Sequence, residues 1–427
     1  MFIEKEISIY DFASAISEAV DLVSPVLNNH HNRVAYISYR IAQRMKLADA
    51  DIEDIVLAAM LHDIGAFFTS ERIKAFFYDS LDTGLCEYAM QGHELLKSFA
   101  PMANAGQLIK YHHADHEKSR ADIPIGSNII HLADKVCVLL NERREILAQV
   151  PEVLDKILQG HKKFHPDTIA ALLFLARFEY FWLEVLSPPF NTPALKQALS
   201  SKKITSPESL TSFARLIAHI VDFRSKFTAA HSHGVAAVAR ELAVISGFSE
   251  RECKRIEIAG LLHDLGKLSV PNDILEKNGK LDNEEFNVIR KHSYYTYAAL
   301  SKIGGLEDIT TWAAYHHERP DGSGYPFHVN GGDFPKLARI MAVADVFAAL
   351  TEDRPYRAGM EKGEVMEILF RMANNGEIDK NIVELVDRYF IPVNDVLIKT
   401  QKEAFLEYES FHNILGEIQE KEVKQSA

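Results

Sequence analysis

The sequence predicts an all-α protein built from two related helical domains, and three observations lead there. Apolar residues recur at three- and four-residue spacing through 34–47, 52–61, 168–186, 235–246, 254–262 and 363–373, the pattern by which a helix buries one face. Alternating runs of Val, Ile and Thr bounded by turn residues are scarce, so strands find little support. The third observation is a repeat among the 19 histidines, set out below. At 427 residues the chain exceeds one ordinary domain, and ~150 residues per domain gives two or three.

Composition narrows the class. Hydrophobic residues at 47% and charged residues at 25% match ordinary soluble globular chains. The balance of 47 basic against 60 acidic residues, −13 overall, supplies no basic surface for a DNA or RNA polymer. An anionic ligand must then be drawn in by a local site. Three scattered cysteines, Cys86, Cys137 and Cys253, form no CxxC pair and suit a reducing compartment. The start, MFIEKEISIYDF, is unlike a signal peptide, and the apolar stretch 169–186 is broken by Arg177, Glu179 and Glu184. No membrane span is expected, and the expected location is cytoplasmic.

The stretch 187–209 holds prolines at 188, 189, 193 and 207 around a Ser/Lys-rich centre. The expected organisation is an N-terminal domain over 1–190, a linker over 191–209, a second domain over 210–397 and a charged helical tail over 398–427. The tail is read as a solvated terminal helix, with a homodimer formed through helices as the other reading.

The histidines carry the repeat. His231 precedes His263-Asp264 by 32 positions, and His30 precedes His62-Asp63 by the same 32. His292 and His93 follow, then the doublets His316-His317 and His112-His113. Each half closes with an aspartate inside an apolar helix, Asp345 in AVADVFAAL and Asp134 in HLADKVCVLL. A single histidine on an apolar helix is more often a hydrogen-bonded core residue than a ligand. Three buried polar points on separate helices are harder to dismiss, because burying them unpaired costs several kcal/mol.

Five imidazoles and two carboxylates exceed the three or four protein ligands of one catalytic zinc. They suit two metals sharing a bridging carboxylate, about 3.5–4 Å apart, a geometry that drives in-line attack of hydroxide at phosphorus. With no thiolate among them, Fe or Mn is favoured, and Mg, Zn, Ni and Co are the other candidates.

Residues 227–357 resemble an HD-GYP domain, a branch of the HD superfamily of metal-dependent phosphohydrolases. The matching text is FTAAHSHGVA at 227–236, HDLGK at 263–267, KHSYYTYAAL at 291–300, HHERPDGSGYP at 316–326 and ADVFAALTEDRPYR at 344–357. The resemblance implies hydrolysis of a cyclic dinucleotide, cyclic di-GMP or 3′,3′-cyclic GMP-AMP, to a linear dinucleotide. It implies two divalent metal ions, one held by His231, His263 and Asp345, the other by His292, His316 and His317, with Asp264 bridging. Lys267 would position the scissile phosphate and the nucleophile. Gly322, Gly324, Tyr325 and Pro326 match the signature loop, with Tyr325 contacting substrate, and Arg354 and Arg357 would grip its phosphates. For Arg319 two readings stand side by side: a phosphate contact, or an ion pair bracing the loop. Phe227 stands where some relatives carry a glutamate for a third metal, so two metals are expected. Ala348 replaces the second aspartate of the last motif.

Residues 28–140 resemble an HD domain with the ligand order His30, His62, Asp63, His93, His112, His113, Asp134 complete. Ala66 occupies the lysine position, and the GYP loop is missing. His31 and His116 are read as surface residues. This half is expected to be regulatory or a packing partner rather than catalytic. For the whole chain the alternatives are a phosphohydrolase of another nucleotide and a receptor that binds a cyclic dinucleotide without cleaving it.

Overall fold

The computed structural model describes residues 6–21, 29–68, 85–97, 99–117, 122–224, 228–275, 277, 279–352 and 359–426. Among the described residues the only strands are Ile7–Ser8 and Lys203–Ile204, paired antiparallel, and all other regular structure is helical. The chain groups into two compact units, Ile7–Ile204 and Thr205–Ile414.

Both units repeat one framework. In the first it runs through helices His30–Arg44, Asp49–Leu61, Leu85–Lys97, Ala103–Lys110 and Ile125–Leu139, with a 3-10 turn at Ile64–Phe68. In the second it runs through His231–Ile245, Glu250–Leu262, Asn283–Leu300, Glu307–Ala314 and Lys336–Thr351, with the turn at Leu265–Ser269. Local sequence explains the boundaries. Ser249 with Glu252, and Asp282 with Glu285, form capping boxes that satisfy the first free amides of their helices. Helix Lys336–Thr351 buries Leu337, Ile340, Met341, Val343, Ala344, Phe347 and Ala348, so it runs through the core of its domain and carries Asp345 there. Ala348 is fully buried among these residues and leaves no polar group to satisfy.

Gly266 of the HDLGK motif has a packing role. It sits inside the 3-10 turn without a left-handed backbone. A Cβ there would lie 2.0 Å from the His292 carbonyl oxygen, and at Gly65 it would lie 1.9 Å from the Tyr88 oxygen. The glycine of each His-Asp motif therefore lets the turn touch the backbone of the helix bearing the next histidine.

Three expectations change. The stretch 168–186 is two helices, Pro166–Leu175 and Glu179–Val185, and the Trp182 indole N–H donates to the Ala176 carbonyl freed between them at 3.2 Å. The expected linker 191–209 is folded. Pro188 and Pro189 open helix Pro188–Ala198, where their missing N–H groups are not needed, and Asn191, Leu195 and Leu199 are buried. The tail belongs to one helix, Phe390–Ser426, which buries Val393, Leu397, Ala404 and Phe411, so it is a packed element with one solvated face. No helix among the described residues is long and apolar enough to cross a membrane.

Gly266→Ala should lower stability by about 1–3 kcal/mol through overpacking. Gly304→Ala, whose added methyl meets nothing within 4 Å, should leave it unchanged, with thermal unfolding as the measurement.

Candidate metal centre

In the second domain the seven expected ligands converge. His231 opens its helix, His263 and Asp264 follow helix Glu250–Leu262, His292 lies in helix Asn283–Leu300, His316 and His317 follow helix Glu307–Ala314, and Asp345 lies in helix Lys336–Thr351. His231 Nε2 is 3.2 Å from Asp345 Oδ1 and 3.9 Å from Asp264 Oδ2. His263 Nε2 is 3.3 Å from Asp264 Oδ2 and 3.9 Å from Asp345 Oδ1. On the other side of Asp264, His292 Nε2 lies 3.5 Å from Oδ1, while His317 Nδ1 lies 3.8 Å from Asp345 Oδ2. Asp264 thus stands between the two sets of imidazoles.

Hydrogen bonds behind the ligands choose which nitrogen faces inward. The Nδ1–H groups of His263, His292 and His316 donate to the carbonyls three residues earlier, Gly260 at 2.7 Å, Ile289 at 2.6 Å and Ala313 at 2.6 Å. Each Nε2 therefore presents a lone pair. His292 Nε2 and His316 Nε2 are 3.0 Å apart, lone pair against lone pair. That contact is repulsive unless a cation lies between them, and ligands at about 2.1 Å and right angles stand about 3.0 Å apart. Buried His263 Nε2 and Asp264 Oδ1 also make no hydrogen bond. His292, His316 and His317 together offer ligand atoms within 4.8 Å of one another. The donor set fits divalent cations.

Electrostatics at His292 and His317 agree with that reading. Burial pushes His292 down to about 3 and His317 down to about 4, so both are neutral donors. Burial alone would raise Asp264, but His263 and Lys267 beside it hold it well below the usual carboxylate range. The Lys267 ammonium donates to Asp264 Oδ2. Burial alone would lower His231, but Glu352 and Asp345 hold it up to about 10.

The signature loop packs against this centre. The Tyr325 ring lies tilted beside His317, with ring centroids 4.9 Å apart, and the Arg290 guanidinium lies 5.0 Å from the Tyr325 ring. The Tyr325–Pro326 peptide is cis. Buried Glu318 accepts from the amides of Phe327 at 2.6 Å and Val329 at 3.0 Å, closing the loop on itself. A Cβ at Gly324 would come within 2.4 Å of the Arg319 amide nitrogen, which is why that position is glycine. Arg319 pairs with Glu377 at 3.1 Å, the bracing arrangement of its two readings. Arg354, Arg357 and Phe227 lie outside the described residues.

The first domain repeats the centre with different surroundings. His30 Nε2 is 3.1 Å from Asp134 Oδ1, and His62 Nε2 is 3.1 Å from Asp63 Oδ2. The His62 and His112 Nδ1 groups donate to the Ala59 and Ile109 carbonyls at 2.8 and 2.6 Å. Ligand-competent groups form from His30, His62 and Asp134, and from Asp63, His112 and His113. His93 departs from its counterpart His292: its Nε2 lies 4.0 Å from Glu94 of its own helix.

His31, expected at the surface, is a correction. It is buried, with Nε2 3.7 Å from Asp63 Oδ2, and it joins His62 and Asp63 in a further ligand-competent group. With Ala66 in the lysine position, His31 supplies the additional partner that Lys267 gives Asp264 in the second domain. His116 remains half-exposed beside His165, ring centroids 4.8 Å apart, as expected of a residue outside the centre.

Some supporting residues were not anticipated. Glu352 accepts from His231 Nδ1 at 3.1 Å and from Gln401 Nε2 at 2.6 Å, a carboxylate that orients a ligand. Asp222 receives the Ser232 amide and hydroxyl, each at 2.9 Å, and caps the helix that His231 opens. Arg290 joins them at Tyr325.

Two helical domains, each closing five elements around a buried His/Asp cluster, define a tandem of HD-type domains. Models of the HD domain match residues 28–139 and residues 213–382. The chain is 31% identical over 412 residues to 3′3′-cGAMP-specific phosphodiesterase 1 of Vibrio cholerae, covering 90% of this chain and 93% of that protein. It is 39% identical over 170 residues to the cyclic di-GMP phosphodiesterase response regulator RpfG of Xanthomonas campestris, covering 38% of this chain and 43% of that one. The crystal structure of a cyclic GMP-AMP specific phosphodiesterase of V. cholerae, V-cGAP3, matches with a TM-score of 0.62 at 22% identity over 93% of this chain and 98% of that one, which supports the fold. The chain belongs to the HD superfamily, as an HD domain followed by an HD-GYP domain.

Glu352→Gln should weaken metal binding in the second domain about 10–100-fold while leaving the fold intact. Equilibrium dialysis with metal analysis, alongside circular dichroism, measures both.

Proposed function

We propose that the second domain hydrolyses a phosphodiester bond of a cyclic dinucleotide, releasing a linear dinucleotide. The observation that carries this is the pair of opposed lone pairs on His292 and His316 beside the Asp264 carboxylate, an arrangement that calls for cations. His231, His263 and Asp345 would hold one, and His292, His316 and His317 the other, with Asp264 between them. Two divalent cations there, Fe or Mn first among the candidates, would supply a nucleophile at neutral pH and neutralise charge developing on the phosphate. The protein's own groups do the rest. The backbone carbonyls behind the imidazoles fix the donor nitrogens, and Glu352 orients His231. Lys267 brings an ammonium to the edge of the centre, placed to hold a phosphate oxygen. Tyr325, braced by Arg290, forms a ring wall beside His317 for the substrate, and Arg354 and Arg357 would take its remaining phosphate charge.

A relative named for 3′,3′-cyclic GMP-AMP is matched over 90% of this chain, while those named for cyclic di-GMP, such as RpfG at 38%, are matched over less than half of it, and this puts the hybrid dinucleotide first. A soluble intracellular messenger as substrate supports the expected cytoplasmic location. The first domain is read as a regulatory domain that holds metal through His30, His62, Asp63, His112, His113 and Asp134, with His31 against Asp63. It has neither a lysine nor a GYP loop to bring to a substrate.

Metal-loaded protein should convert 3′,3′-cyclic GMP-AMP, cyclic di-GMP or both to a linear dinucleotide by product chromatography. No linear product from either would overturn the proposal. Asp264→Ala should abolish turnover, and Lys267→Ala should slow it about 100-fold or more. Asp63→Ala should leave turnover near that of the unsubstituted protein. Lost turnover in Asp63→Ala with the second domain's metals still bound would make the first domain catalytic.

A further inference from the structure

The C-terminal domain contains another convergence of ligand-type side chains, separate from the seven. His219 lies in helix Pro207–Asp222, His233 in helix His231–Ile245 and Glu407 in helix Phe390–Ser426. One ligand atom from each lies within 4.8 Å of the others. His233 is two positions past His231, and residues two apart on a helix do not share a face, so His233 points away from the phosphodiesterase centre. We propose that His219, His233 and Glu407 form a binding site for a divalent cation of the zinc class, clamping the C-terminal helix to its domain.

His233 gives the strongest reason. It is 6% exposed, and neither of its ring nitrogens makes a hydrogen bond. A neutral imidazole carries one N–H and one lone pair, and leaving both unmet in a protein interior is costly. The other two ligands are already arranged. His219 Nε2 is 3.0 Å from Glu407 Oε2, and the His219 ring stacks on Phe223 at 4.5 Å and beside His233 at 5.0 Å. Ligand atoms about 2.0–2.1 Å from a tetrahedral zinc stand about 3.3 Å from one another, close to the 3.0 Å between His219 and Glu407. Two imidazoles and one carboxylate are a known zinc donor set that keeps a fourth position for water. Glu407 is largely exposed and leaves an entry path for the ion.

The position gives the clamp a target. Gln401, on the helix that bears Glu407, donates to Glu352, and Glu352 orients His231. A cation tying that helix down would also steady the support of a phosphodiesterase ligand.

The test uses full-length protein stripped by chelator and dialysed against buffered nanomolar free zinc. Zinc per chain is counted for the unsubstituted protein, His233→Leu and Glu407→Gln. Both variants should hold one zinc fewer per chain, and zinc should raise their unfolding temperature less. Glu407 is exposed, so Glu407→Gln decides the matter if His233→Leu fails to fold. An unchanged zinc count in Glu407→Gln would reduce the site to an ion pair beside a buried histidine and overturn the proposal. Because neither side chain belongs to the phosphodiesterase centre, this result is independent of whether a cyclic dinucleotide is cleaved.

Discussion

Two imidazole nitrogens, His292 Nε2 and His316 Nε2, face each other at 3.0 Å with their protons committed to carbonyls on the far side. Everything around them follows from keeping those lone pairs in place. Carbonyls three residues back fix the ring tautomers, and Gly266 lets the His-Asp turn press on the backbone at His292. Asp264 supplies negative charge beside the imidazoles, and Lys267 balances it. A dry interior would not tolerate this concentration of unmet donors for its own sake. The helical framework therefore holds a cluster whose donors suit cations, and the contacts that pack the helices also aim those donors.

The two domains show how one cage diverges. Both keep most of the inward-facing histidines, with His93 the exception, and the aspartate that closes the cluster. They differ in what touches the first aspartate: an ammonium in one, a further imidazole in the other. One arrangement sets an ammonium against the carboxylate, and the other surrounds it with imidazoles.

Much of this was legible in the sequence because ligand spacing follows helix length. The shared interval of 32 residues from first histidine to His-Asp spans two packed helices and the turn joining them. The all-helical class came from apolar periodicity, which is local. What escaped notice depended on contacts between distant segments. Glu352 follows an apolar helix, and its partners His231 and Gln401 lie 121 and 49 positions away. His31 looked like a surface neighbour of His30, since nothing in one sequence shows that the helix start is enclosed on several sides. Prolines at 188, 189, 193 and 207 suggested a linker, yet proline is equally at home in the first turn of a helix. The packing role of Gly266 was not legible, because close backbone approach leaves no sequence mark of its own.

Lys267 now spends its proton on Asp264 Oδ2, the oxygen that also lies within reach of His231 and His263. A cation held on Asp264 Oδ2 would compete with the ammonium for that oxygen. The charge that balances the carboxylate would then be turned outward, where a phosphate could meet it.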